Sequence, residues 1–232
     1  MYALYIANKN YSSWSLRPWV LLRALDIPFQ EHLVRFDDAP AWEAFRRLAP
    51  NGKVPCLVDG DTVVWESLAI VEYLAERHAG VWPSDPHARA WARCVASEMH
   101  AGFAELRNRC SMSCGVRVRL HEVGPALQKD LARISALWAQ GLARFGGPFL
   151  TGADFSAADA FFAPVAFRLQ TFGLALQDPP ANDYARHLLA HAAMQQWYSQ
   201  ALAEDFRDAS HDVELSGVST LLRDERAGAV TA

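Results

Sequence analysis

The chain has 232 residues, of which 51% are hydrophobic and 21% charged, and its formal net charge at pH 7 is −4. This composition excludes a disordered chain, and the negative charge argues against a general nucleic-acid surface. No apolar run reaches the ~18 residues that a membrane-spanning helix needs. The cysteines show no paired spacing, so free thiols in a cytoplasmic protein are expected. They are Cys56, Cys94, Cys110 and Cys114.

The first part of the chain alternates predicted strands and helices. A buried strand is predicted at 2–7, because that run is apolar on both faces. A helix follows from about Ser15 to Leu25, where apolar residues recur at helical spacing. The remaining predicted elements are a strand at 29–35, a short helix at 41–48, strands at 54–58 and 62–65, and a helix at 66–78.

The second part is predicted to be helical. A segment with two prolines and a glycine, Gly80–Pro86, is predicted to be a linker. Ser156 and Asp159 form a capping-box variant that begins a buried helix ending at Phe172. The other predicted helices are 86–109, 127–145, 184–189 and 194–202. Residues 205–232 have a lower density of apolar residues, which predicts a draped or loose tail.

The run from residue 53 to residue 74 carries the clearest functional signal. Pro55 cannot donate to a sheet ladder, so it belongs at a strand start or an edge. A cis Val54–Pro55 bond would leave the Val54 backbone free to pair with an extended peptide. Glu66 and Ser67 then stand at a helix N-terminus, whose free N–H groups suit a carboxylate. Together these features predict a receptor for a small anionic peptide.

This run resembles the glutathione-binding half of the glutathione transferase family, and three further segments are similar to it. Tyr11–Arg17 resembles the Ser-Ser-x-Ser-x-x-Arg loop of the zeta-like serine classes. Ala49–Pro55 is similar to Asn-Pro-x-Gly-x-Val-Pro, with Ala-Pro-Asn as a departure, and Gly152–Asp159 is similar to Gly-x-x-x-Ser-x-Ala-Asp. The resemblance implies an α/β plus all-α fold. A thioredoxin-like βαβ-αββα domain would span 1–79, a linker 80–86, and an all-helical domain with the electrophile pocket and a C-terminal tail 87–232.

The resemblance also implies which groups activate the thiol of glutathione. A thiol pKa near ~8.5 leaves little thiolate at neutral pH. Lowering it by two units requires about 2.7 kcal/mol of preferential stabilisation, which hydrogen-bond donors at a helix N-terminus can supply. Ser12 is the first candidate donor, because it stands five residues before Arg17 as the catalytic serine does in the zeta-like pattern. Tyr11 and Ser13 are the alternatives, and a simple N-cap role for either serine remains open.

Four residues are expected to hold glutathione. In this interpretation Ser67 binds the γ-glutamyl carboxylate, Glu66 the ammonium group, Val54 the cysteinyl backbone and Lys53 the glycine carboxylate. Capping alone also explains a serine and a glutamate at a helix start. Glutathione is then a co-substrate, and no metal is expected.

The pocket for the second substrate, a small hydrophobic electrophile, is expected between the two domains. Its candidate residues lie in the catalytic loop and at the end of the first long helix, which faces that loop in the family. They are Trp14, Arg107, Cys110, Ser111 and Cys114. The cysteines have the alternative interpretation of small buried residues.

Three functions are consistent with these features. The first is a cytoplasmic, homodimeric transferase that conjugates glutathione to electrophiles in detoxification. The second is a zeta-like glutathione-dependent cis–trans isomerase, although Trp14 stands where that class usually has a cysteine. The third is a non-catalytic binding or regulatory module of the same fold. Such a module need not keep a peptide site, so the presence of Val54-Pro55 and Glu66-Ser67 argues against it.

Overall fold

The computed structural model describes residues 1–226, and its first part is a four-stranded sheet with helices. The strands lie in the order β2-β1-β3-β4, with β1 and β2 parallel and the other pairs antiparallel. This order confirms the predicted thioredoxin-like fold. Its elements are β1 (Tyr2–Ile6), α1 (Ser13–Ala24), β2 (Phe29–Leu33), α2 (Ala39–Leu48), β3 (Cys56–Asp59), β4 (Thr62–Trp65) and α3 (Ser67–Ala75).

The second part is helical, as predicted, except for a two-stranded sheet that interrupts the predicted all-helical domain. Its longest helix ends at Gly146, which adopts the left-handed conformation that glycine accepts without steric cost. The elements up to residue 203 are α4 (Pro86–Ala101), α5 (Ala104–Arg109), β5 (Val116–Leu120), α6 (Pro125–Phe145), α7 (Ala157–Phe172), α8 (Pro179–Ala190) and α9 (Ala192–Ala203).

The predicted single helix over 86–109 is wrong, because the chain breaks between α4 and α5. Phe103 has φ 56°, and a Cβ on Gly102 would lie 2.7 Å from the carbonyl oxygen of Glu98. The Nη1 group of Arg107 donates to the carbonyls of His100 and Gly102, at 3.0 and 3.2 Å, and so satisfies groups that the break leaves free. The break directs α5 toward the loop before α1.

Of the predicted draped or loose tail, the loose alternative is wrong for the part that is described. Residues Ala209–Val218 form α10, and Ser219–Asp224 form β6, which pairs antiparallel with β5. Leu221 and Leu222 are 56% and 57% exposed, so the ladder hydrogen bonds hold β6 more than apolar burial does. The rest of the predicted tail, residues 227–232, lies outside the described residues.

One continuous apolar core connects the sheet to the helical part. Helix α1 packs against α7, whose residues are almost all buried. Trp19, Trp138 and Trp197 are fully buried in this core, and each buries a large apolar area. Helix α1 and the loop before it are therefore fixed from the helical side. Within residues 1–226, no helix is both long and apolar enough to cross a bilayer.

Candidate functional site

The loop between β1 and α1 is held by side chains from the C-terminal part of the chain. The Glu204 carboxylate accepts from the backbone N–H groups of Lys9 and Asn10, at 2.6 and 3.2 Å. Trp197 donates its indole N–H to the Lys9 carbonyl at 2.9 Å, and the Asn10 amide oxygen accepts from the Gly115 N–H at 2.8 Å. Helix α9 and the segment before β5 therefore set the position of the serines that follow.

Ser12 and Ser13 lie at the start of α1, where the helix presents free N–H groups. Ser12 is buried, and its hydroxyl donates to Ser15 Oγ at 2.7 Å, while Ser15 Oγ also accepts from the Ala7 N–H at 3.1 Å. A hydroxyl rotates freely and both donates and accepts. Ser15 can therefore donate to Ser12 instead, which frees the Ser12 proton for an anion. Ser13 is half-buried, and its hydroxyl has no partner among residues 1–226.

Tyr11, the alternative donor, has its hydroxyl fully engaged by the C-terminal segment. It donates to Asp212 Oδ1 at 3.2 Å and accepts from Arg226 Nη1 at 3.0 Å and from the Asp208 N–H at 3.3 Å. Burial and the nearby Asp212 carboxylate raise the pKa of Tyr11. Its proton is therefore less available to a thiolate than that of either serine.

A cleft beside the β3–β4 hairpin contains most of the residues predicted to bind glutathione. We call it the hairpin cleft; its volume is about 310 Å³, and it is lined by Trp14, Asn51, Lys53, Val54, Pro55, Glu66 and Arg107. The Val54–Pro55 bond is cis, and Val54 precedes the first β1–β3 pair, Tyr5 with Cys56. Glu66 is exposed with φ 70°, a conformation that non-glycine residues adopt mainly where function or packing requires it.

Ser67 and Arg17 lie behind the hairpin cleft and are buried. Ser67 begins α3, and its hydroxyl accepts from Arg17 Nη1 at 3.5 Å. Arg17 stacks on the Trp14 ring at 4.0 Å, and its Nε has no hydrogen-bond partner in the described chain. Burial, followed by the charges of Arg107 and Arg168, lowers the pKa of Arg17 well below its ordinary value. A buried cation beside the free N–H groups of α3 makes this end of the cleft suitable for a carboxylate.

A second cleft, the main cleft, lies between the two parts of the chain. Its volume is about 440 Å³, and it shares Trp14, Lys53, Val54 and Arg107 with the hairpin cleft. The other residues lining it are Tyr11, Ser12, Ser13, Phe36, Trp42, Gly52, Asn108, Ser111, Met112, Arg168, His211 and Glu214. The predicted pocket residues Trp14, Arg107 and Ser111 thus meet the predicted catalytic residues in one place.

Cys110 and Cys114 do not reach the main cleft. Both are fully buried, and burial raises the pKa of the Cys110 thiol to about 12. Burial also raises the pKa of Cys114 above its ordinary value. The break before α5 turns Arg107 and Ser111 toward the cleft and packs these thiols against the core, so the interpretation as buried residues fits the structure.

The wall of the main cleft carries positive charge that has no acidic partner among residues 1–226. Arg168 is 5% exposed, its Nη1 donates to the Cys110 carbonyl, and its Nε has no hydrogen-bond partner in the described chain. Burial lowers the pKa of Arg168 to about 10 and lowers that of Arg107. Neither arginine forms a salt bridge within residues 1–226. Sequence reasoning missed Arg168 because it lies in an apolar helix, and missed His211 because it lies in the predicted loose tail.

Comparisons with known proteins agree with this geometry. The chain matches the sequence model of the glutathione S-transferase N-terminal domain over residues 11–77 and that of the C-terminal domain over residues 116–198. A probable maleylacetoacetate isomerase of Caenorhabditis elegans is 28% identical over 190 residues, which cover 81% of this chain and 87% of that protein. The maleylacetoacetate isomerase of Rattus norvegicus is 29% identical over 199 residues, covering 83% and 89% of the two chains.

A solved structure has the same fold. The glutathione transferase homologue from Burkholderia, solved with bound glutathione, superposes with a TM-score of 0.64 at 23% identity, over 86% of this chain and 97% of that one. The two domain matches together span well over half of the chain. The chain belongs to the glutathione S-transferase family.

Proposed function

We propose that the protein is a glutathione transferase that binds glutathione in the hairpin cleft and conjugates it to a small electrophile in the main cleft. The observation that carries this proposal is the junction of the two clefts at Trp14 and Val54, directly beside Ser12 and Ser13. A thiol bound along Val54 then meets both a hydroxyl donor and the second substrate. The proposed enzyme is a cytoplasmic homodimer, as the family resemblance implies.

Each end of glutathione has a chemically suitable partner in this proposal. The Glu66 carboxylate binds the ammonium group, with Asn51 holding that carboxylate at 3.2 Å. Ser67 and the α3 N-terminus, with Arg17 behind them, bind the γ-glutamyl carboxylate. Val54 pairs with the cysteinyl backbone, and the exposed Lys53 binds the glycine carboxylate. Ser12 donates to the thiolate, with Ser13 as its nearest rival.

Removing the Ser67 hydroxyl is expected to weaken glutathione binding. Ser67→Ala should raise the dissociation constant by about tenfold, because a bound carboxylate would lose a donor and Arg17 would lose a contact, a cost of ~1–3 kcal/mol. Titration calorimetry measures this change. Thr62→Ala, at an exposed position of β4, is the control and should bind as the wild type does. Unchanged affinity in Ser67→Ala would remove Ser67 from the site.

The charge of the main cleft favours a second candidate, a glutathione-dependent isomerase or transferase whose substrate carries a carboxylate. Arg168 and Arg107 are partly or fully withdrawn from water and lack an acidic partner in the described chain. Burying a cation without an anion is costly, so these two arginines would stabilise a bound anionic ligand. The names of the two isomerase relatives point to an acid of this kind, and their identities of 28% and 29% leave the specific reaction a proposal.

Neutralising Arg168 is expected to separate acidic from neutral substrates. Arg168→Met should raise KM for a carboxylate-bearing enone about tenfold or more, since a charge-assisted hydrogen bond contributes ~1.5–3 kcal/mol. The methyl ester of the same enone should be used as well as before. The control is Arg144→Met on the exposed face of α6. Equal effects of Arg168→Met on acid and ester would contradict an anion site and leave the neutral-electrophile transferase in place.

A further inference from the structure

His211 lies on the first turn of α10 and forms part of the main cleft wall. The same wall contains Ser12 and Ser13 from the loop before α1. The imidazole therefore shares a cleft with the proposed thiolate position, although the two elements are far apart in sequence.

The imidazole is oriented by a carboxylate. Its Nδ1 hydrogen-bonds Asp208 Oδ2, and Asp208 also accepts from the N–H and the hydroxyl of Ser210 at 3.1 and 2.9 Å. The Nε2 atom has no hydrogen-bond partner among residues 1–226. A carboxylate on one ring nitrogen fixes the ring and leaves the other nitrogen free to exchange a proton with a ligand.

Aromatic contacts fix the plane of the same ring. Its centroid lies 5.0 Å from that of Tyr11, with 30° between the planes, and 5.2 Å from that of Phe36, with 34°. The side chain is 29% exposed. Because Tyr11 directly precedes Ser12, these contacts also fix the imidazole relative to the start of α1. The ring is thus held in place without being sealed from the cleft.

We propose that His211 is a catalytic acid for the addition of glutathione to a polarised carbon–carbon double bond, with Asp208 as its positioning residue. This proposal rests on the proposed function and adds a proton donor to it. It also assigns a role to the folded C-terminal segment.

The addition consumes one proton at carbon, and an acid in the cleft can supply it. The thiolate forms a C–S bond at the β-carbon, the π bond of the alkene breaks, and its electron pair passes to the α-carbon as an enolate. His211 acts as the imidazolium: Nδ1–H is held by Asp208, and the Nε2 proton passes to that carbon. The neutral imidazole then takes up a proton from solvent, which received one when the glutathione thiol became the thiolate. Substitution on an aryl chloride differs, because its leaving group departs as chloride and takes no proton.

The two reaction types therefore provide the test. His211→Gln should lower kcat/KM for 4-phenyl-3-buten-2-one by about 10²-fold, the size of a typical general-acid contribution. It should lower kcat/KM for 1-chloro-2,4-dinitrobenzene at least about tenfold less than for the enone, because this substitution needs no proton on carbon, and it should leave the affinity for glutathione unchanged. Asp208→Asn keeps an acceptor for Ser210. It should lower the activity with the enone in part and leave the activity with the aryl chloride as it is.

A structural role for His211 predicts a different pattern. Val213→Ala, at an exposed position of the same helix outside the main cleft, is the control, and both substrates should react as with the wild type. Equal losses on both substrates in His211→Gln, or no loss on either, would overturn the proposal. So would a wild type that turns over the chloride but not the enone. A wild type that binds no glutathione and turns over neither substrate would overturn the transferase itself.

Discussion

Ser12→Ala is expected to lower kcat by ~10²–10³-fold, the typical cost of removing one donor from a developing or stabilised anion. Ser12 lines the main cleft at the start of α1, and its hydroxyl can turn from Ser15 to a bound thiolate. The lost interaction acts on the anion and not on the neutral thiol, so glutathione affinity should change little. The pKa of bound glutathione should rise toward that of the free thiol. Ultraviolet titration of the bound thiolate, read beside turnover, measures both effects.

Two companion variants decide which hydroxyl serves the thiolate. Ser13→Ala removes the unpartnered hydroxyl beside Ser12 and should have a smaller effect on the pKa of bound glutathione. Tyr11→Phe removes contacts to Asp212 and Arg226, so it should loosen the C-terminal segment without moving that pKa. The variant that raises the pKa most identifies the donor. If none of the three variants raises the pKa of bound glutathione, the loop does not activate the thiol. That result would favour the non-catalytic binding module.

Asp159→Ala is expected to cause a large loss of stability, about 3–5 kcal/mol. Asp159 is fully buried; its Oδ1 accepts from the Leu150 N–H at 3.0 Å and the Tyr184 hydroxyl at 2.9 Å. Its Oδ2 accepts from the Ser156 N–H at 2.9 Å, which closes the start of α7. The Ser156 hydroxyl also donates to Oδ2, at 3.1 Å, and has Thr151 as a second partner. Alanine would leave the other three donors without an acceptor, at ~1–3 kcal/mol each before relaxation. Denaturant or thermal unfolding measures the change.

The graded control for this site is Asp159→Asn. Its side-chain oxygen can still accept from Leu150 and Tyr184, but its NH₂ group faces the donor of Ser156. The free energy of unfolding should therefore lie between those of the wild type and Asp159→Ala. Burial raises the pKa of Asp159 despite its hydrogen bonds. Ionised Asp159 therefore lowers the free energy of unfolding at pH values above its folded-state pKa. This destabilisation declines as the pH falls through that pKa. If Asp159→Ala lowers the free energy of unfolding by less than about 1 kcal/mol, the hydrogen bonds of Asp159 are not required for stability.

The sequence could predict those parts of the fold whose signals are local. Val54-Pro55 and Glu66-Ser67 combine a hairpin with a helix start within a few residues, and the structure places them around one cleft. The Ser156–Asp159 motif likewise marks the start of α7. Helical periodicity found the long buried helices, because a wide apolar face repeats over several turns.

The missed features depend on contacts between distant segments. Strand β6 has exposed leucines and exists because β5 pairs with it, about a hundred residues away in sequence. Apolar spacing continues across Gly102 and Phe103, so nothing in the periodicity marks the left-handed residue there. Arg168 and His211 come together in the main cleft only in the folded protein, where α7 and α10 meet.

The attachment of the β1–α1 loop to the C-terminal segment has a consequence for the order of events during synthesis. The sheet of residues 1–75 can form while the chain is still being made, but Glu204, Asp212 and Arg226 leave the ribosome on the order of tens of seconds after the loop does. Until then Tyr11 and the backbone of Lys9 and Asn10 lack their partners. We therefore expect a nascent chain arrested before residue 204 to fold its sheet without acquiring glutathione-dependent activity.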